Sequence, residues 1–154
     1  MNVVRATLQC LGDFKNLEHQ FLDGNTSTGI VGLAPNTQEP FTGTMWEITG
    51  PLENGFFTFR CLGHIQNPDH RFLDGRTQDG LVSLVHTTEE PFTGTMWEQI
   101  EISSGVFILK CQGHIHNQEH QFLDGRTQDG FVSLAPTTGE PFTGTRWSIK
   151  AFPF

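Results

Sequence analysis

Phe21-Leu22-Asp23-Gly24, Phe72-Leu73-Asp74-Gly75 and Phe122-Leu123-Asp124-Gly125 are one motif written three times along the chain. Each copy leads through a Gly-containing turn and a short apolar run to Pro-Phe-Thr-Gly-Thr-x-Trp, at Pro40 to Trp46, Pro91 to Trp97 and Pro141 to Trp147. Cys10 and Cys61, Phe21 and Phe72, and Trp46 and Trp97 are each 51 residues apart, and their next copies, Cys111, Phe122 and Trp147, follow at 50. The chain is a tandem triplication. A repeat that cannot bury its apolar face alone must bury it against its copies, and three units are enough to close a ring.

Within each unit four apolar stretches read as strands. Thr7 to Cys10, Phe57 to Cys61 and Phe107 to Cys111 are first strands, the second copy showing period-2 alternation. His-x-Phe-Leu-Asp-Gly is the second strand. Residues 25–29, 76–80 and 126–130 make a hairpin connection, with Asp79-Gly80 and Asp129-Gly130 as turn signals. In the third strands, Ile30 to Leu33, Leu81 to Leu84 and Phe131 to Leu134, Val and Leu are expected inward and Gly or Ser outward. Trp46, Trp97 and Trp147 open the fourth strands. No segment has convincing helical periodicity, so twelve strands in one all-β domain are expected, with units of roughly 1–50, 51–101 and 102–154. An open stack would leave bare edges; pairing first with fourth strands closes a barrel that the hairpins cap.

The 154 residues suit a single domain. A net charge of −8 with only nine Lys and Arg argues against nucleic acid as a partner. No run approaches the roughly 20 apolar residues that span a bilayer, and no apolar signal region opens the chain, so membrane insertion is not expected. The expected location is the cytoplasm, or outside the cell by a route without a classical signal. Cys10, Cys61 and Cys111 are an odd number at equivalent positions and read as buried free thiols rather than disulfides; a three-Cys zinc site lacks a Cys-x-x-Cys spacing. His64, His70, His114, His116 and His120 raise a metal reading, but their spacing matches no zinc pattern and unit one carries Asp13 and Phe14 where the others have His-Ile. No catalytic or cofactor motif is present, so neither enzyme activity nor a cofactor is expected.

The Phe-Leu-Asp-Gly, Asp-Gly-x-Val-x-Leu and closing Trp, recurring together in three registers, resemble the ricin-B-type lectin repeat of the β-trefoil fold. The resemblance implies three tandem four-stranded units with pseudo-threefold symmetry and a glycan or glycoconjugate as partner. In that family a sugar site uses an Asp near the end of the second strand, an aromatic platform after the third and a polar residue before the last. Its Asp falls on Asp23, Asp74 and Asp124. The Gln-x-Trp that often carries the platform is replaced by Gly32-Leu33-Ala34, Ser83-Leu84-Val85 and Ser133-Leu134-Ala135. A stacking surface would then come from His19, His70 and His120 or from Phe41, Phe92 and Phe142, with Asn16, Asn67 and Asn117 adding hydrogen bonds and Arg76 and Arg126 shared by units two and three.

Bland readings stand beside these. Each Asp can cap the turn that follows it. The tryptophans read as core, and the three phenylalanines as plugs of the barrel or its cap. Fascin-like cytoskeletal binders and trefoil protease inhibitors offer a protein-binding alternative. The aromatic end, Ala151 to Phe154, suggests a homodimer contact in place of a monomer.

Overall fold

The computed structural model describes residues 2–13, 15–65 and 67–152; Phe14, Pro153 and Phe154 of the readings above lie outside them. Twelve strands form among the described residues: β1 Asn2–Cys10, β2 Phe21–Gly24, β3 Val31–Ala34, β4 Trp46–Gly50, β5 Thr58–Cys61, β6 Phe72–Gly75, β7 Val82–Val85, β8 Trp97–Ser103, β9 Val106–Cys111, β10 Phe122–Arg126, β11 Phe131–Ala135 and β12 Trp147–Ala151. One sheet holds them all. Its order is β12-β9-β10-β11-β3-β2-β1-β4-β5-β6-β7, β8 pairs with β9, and β12 returns to β1, so that seven strands close a barrel.

First and fourth strands pair as closure requires: β1 with β4 and β12, β5 with β4, and β9 with β8 and β12. Phe57, just before β5, bridges to Trp97 at the start of β8. The chain's end extends this pairing, since Ala151 faces Ala6 and the Phe152 N–H donates to the Arg5 carbonyl at 2.7 Å.

In each unit the second and third strands pair as a two-stranded hairpin, and the three hairpins also bridge to one another. Ile30 pairs with Ser83, Leu81 with Ser133, and Phe131 with Gly32. Backbone bonds run beside these bridges, from the N–H of Leu33, Leu84 and Leu134 to the carbonyls of Gly130, Gly29 and Gly80. Directly paired residues share a sheet face and alternate residues return to it. Ile30, Leu81 and Phe131 therefore share one outward face with Gly32, Ser83 and Ser133, while Val31, Val82 and Val132 point to the buried side.

The core draws on all three units. Leu8, Leu22, Trp46, Phe59, Leu73, Trp97, Leu109, Leu123 and Trp147 have no exposed surface at all. An indole N–H cannot be buried without an acceptor. Those of Trp46, Trp97 and Trp147 donate to the carbonyls of Leu22, Leu73 and Leu123 at 3.0, 3.1 and 3.0 Å, tying each fourth strand to the second strand of its own unit.

One expectation is corrected, that the three repeated phenylalanines plug the barrel. The Thr-Gly-Thr stretches form 3-10 turns, at Thr42–Thr44, Thr93–Thr95 and Thr143–Thr145. In each, the last Thr is buried and its hydroxyl donates to the preceding Phe carbonyl at 2.8 to 3.0 Å. Phe41, Phe92 and Phe142 before these turns are half-buried and do not pack against the core cluster, so they do not plug the barrel.

Candidate functional site

The carboxylates of Asp23, Asp74 and Asp124 stand opposite Gly32, Ser83 and Ser133 in the hairpin register, on the outward face. Leu22, Leu73 and Leu123 beside them point into the core. The 3-10 turn then closes over the end of the second strand. A Cβ placed on Gly94 would lie 1.8 Å from the Gly75 carbonyl oxygen and 3.0 Å from Asp74 Oδ1, and the same distances recur for Gly43 and Gly144. Only glycine lets backbone approach backbone this closely.

Asp74 is 8% exposed as a result, and its Oδ1 is buried without any hydrogen-bond partner. Among the described residues, no hydrogen bond reaches the carboxylates of Asp23 or Asp124 either. Burial pushes all three up to about 6, and the neighbouring Arg76 and Arg126 offset this only in part for Asp74 and Asp124. An unpartnered buried carboxylate costs free energy that protein or ligand donors can recover.

The turn-capping role expected of these aspartates belongs to other residues. Asp79 Oδ1 accepts the Leu81 N–H at 3.2 Å, Asp129 Oδ1 accepts that of Phe131 at 3.1 Å, and Asn25 Oδ1 accepts those of Ser27 and Thr28 at 3.0 and 3.2 Å. Arg76 and Arg126 clamp the same turns with bidentate pairs to Asp79 and Asp129, all on the surface.

A cleft of about 440 Å³ opens over Asp74. Arg76, Leu81, Ser83 and Phe92 line it, and Ile115 enters from the following unit. The arrangement offers a carboxylate acceptor, hydroxyls and an apolar wall, which together suit a ligand with hydroxyls on one side and C–H bonds on the other.

His70 and Asn67 are not in this cleft, which corrects the grouping expected from sequence. They line a separate cleft of about 210 Å³ at the junction with unit one. The His70 Nδ1–H donates to the Thr26 carbonyl at 3.1 Å, and the ring packs on Gly29, where a Cβ would come within 2.7 Å of Cδ2. His120 does the same to Thr77 and Gly80, and His19 to Thr127 and Gly130. Each unit's histidine thus reaches back to the unit before it, and unit one reaches round to unit three. The asparagines serve the same loops: Asn16, Asn67 and Asn117 accept the N–H two residues on at 2.9, 3.0 and 2.9 Å, and Asn16 and Asn117 also donate to Gln128 and Gln78 of the adjoining unit.

The thiols lie at these junctions too. Cys61 Sγ contacts the Gly24 and Gly43 carbonyls at 3.4 Å each, Cys111 those of Gly75 and Gly94, and Cys10 those of Gly125 and Gly144. All three are free and buried, and burial pushes them up to about 11, 11 and 12 for Cys10, Cys61 and Cys111. His64 and His114 sit exposed beside Glu39 and Glu90. Among the described residues no three His, Cys, Asp or Glu side chains are grouped to hold a metal ion.

No family model matches the chain, and no curated protein matches it. Among solved structures, its fold is similar to that of a GlcNAcα1-4Gal releasing endo-β-galactosidase from Clostridium perfringens, with a TM-score of 0.67 at 11% identity. The likeness covers 96% of this chain and 32% of that one, so the chain corresponds to less than a third of the enzyme and shares with it an all-β fold.

Proposed function

We propose that the chain is a β-trefoil of the ricin-B-type lectin kind that binds glycans without processing them. Up to three sites, at Asp23, Asp74 and Asp124, act together on a glycan-bearing surface, weak single contacts adding to strong attachment. The observation that carries this reading is the Asp74 carboxylate: buried, without a hydrogen-bond partner, and at the floor of a cleft with hydroxyl and apolar walls. The similarity to a protein named for acting on a galactoside is in keeping with it.

The rival is a trefoil that binds protein. What favours it is the outward apolar face of Ile30, Leu81 and Phe131, which are 66%, 48% and 53% exposed.

A glycan array of the parent beside the triple variant Asp23→Asn, Asp74→Asn, Asp124→Asn separates the two, with circular dichroism establishing that both fold. Binding by the parent and its loss in the folded variant is the expected result. A folded parent that binds no glycan and agglutinates no cells refutes the lectin reading and leaves the protein-binding one.

A further inference from the structure

The three aspartates share one place in the hairpin register, but they do not share one neighbour. In unit two, Leu81 lies on the outward face two residues before Ser83, diagonal to Asp74, and lines the cleft. Diagonal neighbours across an antiparallel pair are within reach of long side chains. The same register sets Ile30 diagonal to Asp23 and Phe131 diagonal to Asp124. Phe131 is 53% exposed, stands directly opposite Arg126, and has that guanidinium 5.9 Å from its ring centroid. Phe41, Phe92 and Phe142 recur in all three units and so cannot distinguish them.

We propose that Phe131 is the specificity-determining wall of a sugar site at Asp124 in unit three, where a pyranose lays its C–H face on the ring while Asp124 accepts its hydroxyl hydrogens. The aromatic platform missing after the third strand is thus replaced by one at that strand's first residue, in one unit of the three. At the position of Phe131, units one and two carry the aliphatic Ile30 and Leu81, which give contact area but no ring face. The three sites then differ in strength: unit three binds single sugars, and the other two contribute once the chain is attached. This rests on the carbohydrate-binding reading above.

The test is an NMR titration of isotope-labelled protein with methyl galactoside, glucoside, mannoside and N-acetylglucosaminide, following backbone amides of 123–134 and 73–84 separately. In the parent, unit three saturates at the lower concentration. Phe131→Leu, which copies the residue of unit two, weakens unit three by about tenfold and leaves unit two unchanged. Leu81→Phe strengthens unit two by a comparable factor. Thermal melts establish that these exposed-site variants fold. If Phe131→Leu titrates like the parent, or unit two saturates first, the proposal is overturned while sugar binding stands. If no glycoside shifts any amide and the array is also blank, the lectin reading falls and this proposal with it.

Discussion

The junction loops and the hairpin face carry equally repeated polar residues, yet they use them in opposite ways. His70 spends its ring N–H on the Thr26 carbonyl and its ring face on Gly29, whereas the buried Oδ1 of Asp74, four residues later, accepts no hydrogen bond. Threefold repetition therefore does not distinguish a binding residue from a structural one. Satisfaction does: a polar group consumed by its own fold has little left for a ligand.

The sharpest way to break this comparison is at Gly94, where the two regions meet through the 3-10 turn. Gly94→Ala would drive a Cβ to 1.8 Å from the Gly75 carbonyl oxygen, backbone against backbone. A loss of at least about 3 kcal/mol, seen as failure to give a cooperative thermal melt, is expected. A stable, sugar-binding Gly94→Ala protein would show that the turn does not press on Asp74 as described.

His70→Ala comes next. It leaves the Thr26 carbonyl without its donor and a gap over Gly29, at a cost of about 1 to 3 kcal/mol by chemical denaturation. Glycan preference should be unchanged, because His70 lines a different cleft from Asp74. A folded variant with altered preference would return the histidines to the binding site.

Asp74→Asn should move in the other direction, raising stability by about 1 kcal/mol at pH 7 while abolishing binding at its cleft. The pH dependence carries the sign. Burial holds the folded-state pKa at about 6, above the ordinary 3.8, so the folded protein takes up the proton more readily than the unfolded chain. The cost of the charge is complete above pH 6 and is relieved as pH falls from 6 to 4. Asp79 and Asp129, held low by their arginines, weaken the fold only at still lower pH. Denaturant midpoints across pH 4 to 7 should therefore converge for parent and variant towards pH 4. Ligand binding through an ionised carboxylate should fade over the same window.

Much of this architecture is legible in the sequence, and for physical reasons. Strands such as β6 and β7 announce themselves because Leu73, Val82 and Leu84 must alternate inward, and the Trp46, Trp97 and Trp147 repeats are core because nothing else accommodates an indole without surface. What escaped depends on who stands opposite whom. The sequence shows Asp74 and Asp79 both as possible turn caps, and only the pairing of Asp74 with Ser83 in the hairpin leaves the local bond to the Leu81 N–H to Asp79. His120 looks like a platform until Thr77 and Gly80 of another unit are placed against it. Phe131 alternates outward with Ser133 in the sequence, but its neighbours, Gly32 across a unit boundary and Arg126 across the hairpin, follow only from the pairing.

The smallest expected effect concerns an ion pair that unit one lacks and its copies share. Arg76 and Arg126 each bind the aspartate three residues on, where unit one has Asn25 and Thr28 and makes its turn with side-chain amide and hydroxyl acceptors alone. Because unit one builds the same hairpin without an ion pair, the pair is not needed for the turn, and exposed pairs of this kind add little to stability. Arg76→Gln should leave the melting midpoint unresolved from the parent's at physiological salt. Its effect on glycan binding then becomes diagnostic, since Arg76 lines the Asp74 cleft and its charge favours the ionised carboxylate. Weaker binding at unchanged stability would place the guanidinium among the ligand's contacts. Unchanged binding would leave unit one's plainer hairpin an equal of the other two, and the wall residue of each third strand as the difference between the sites.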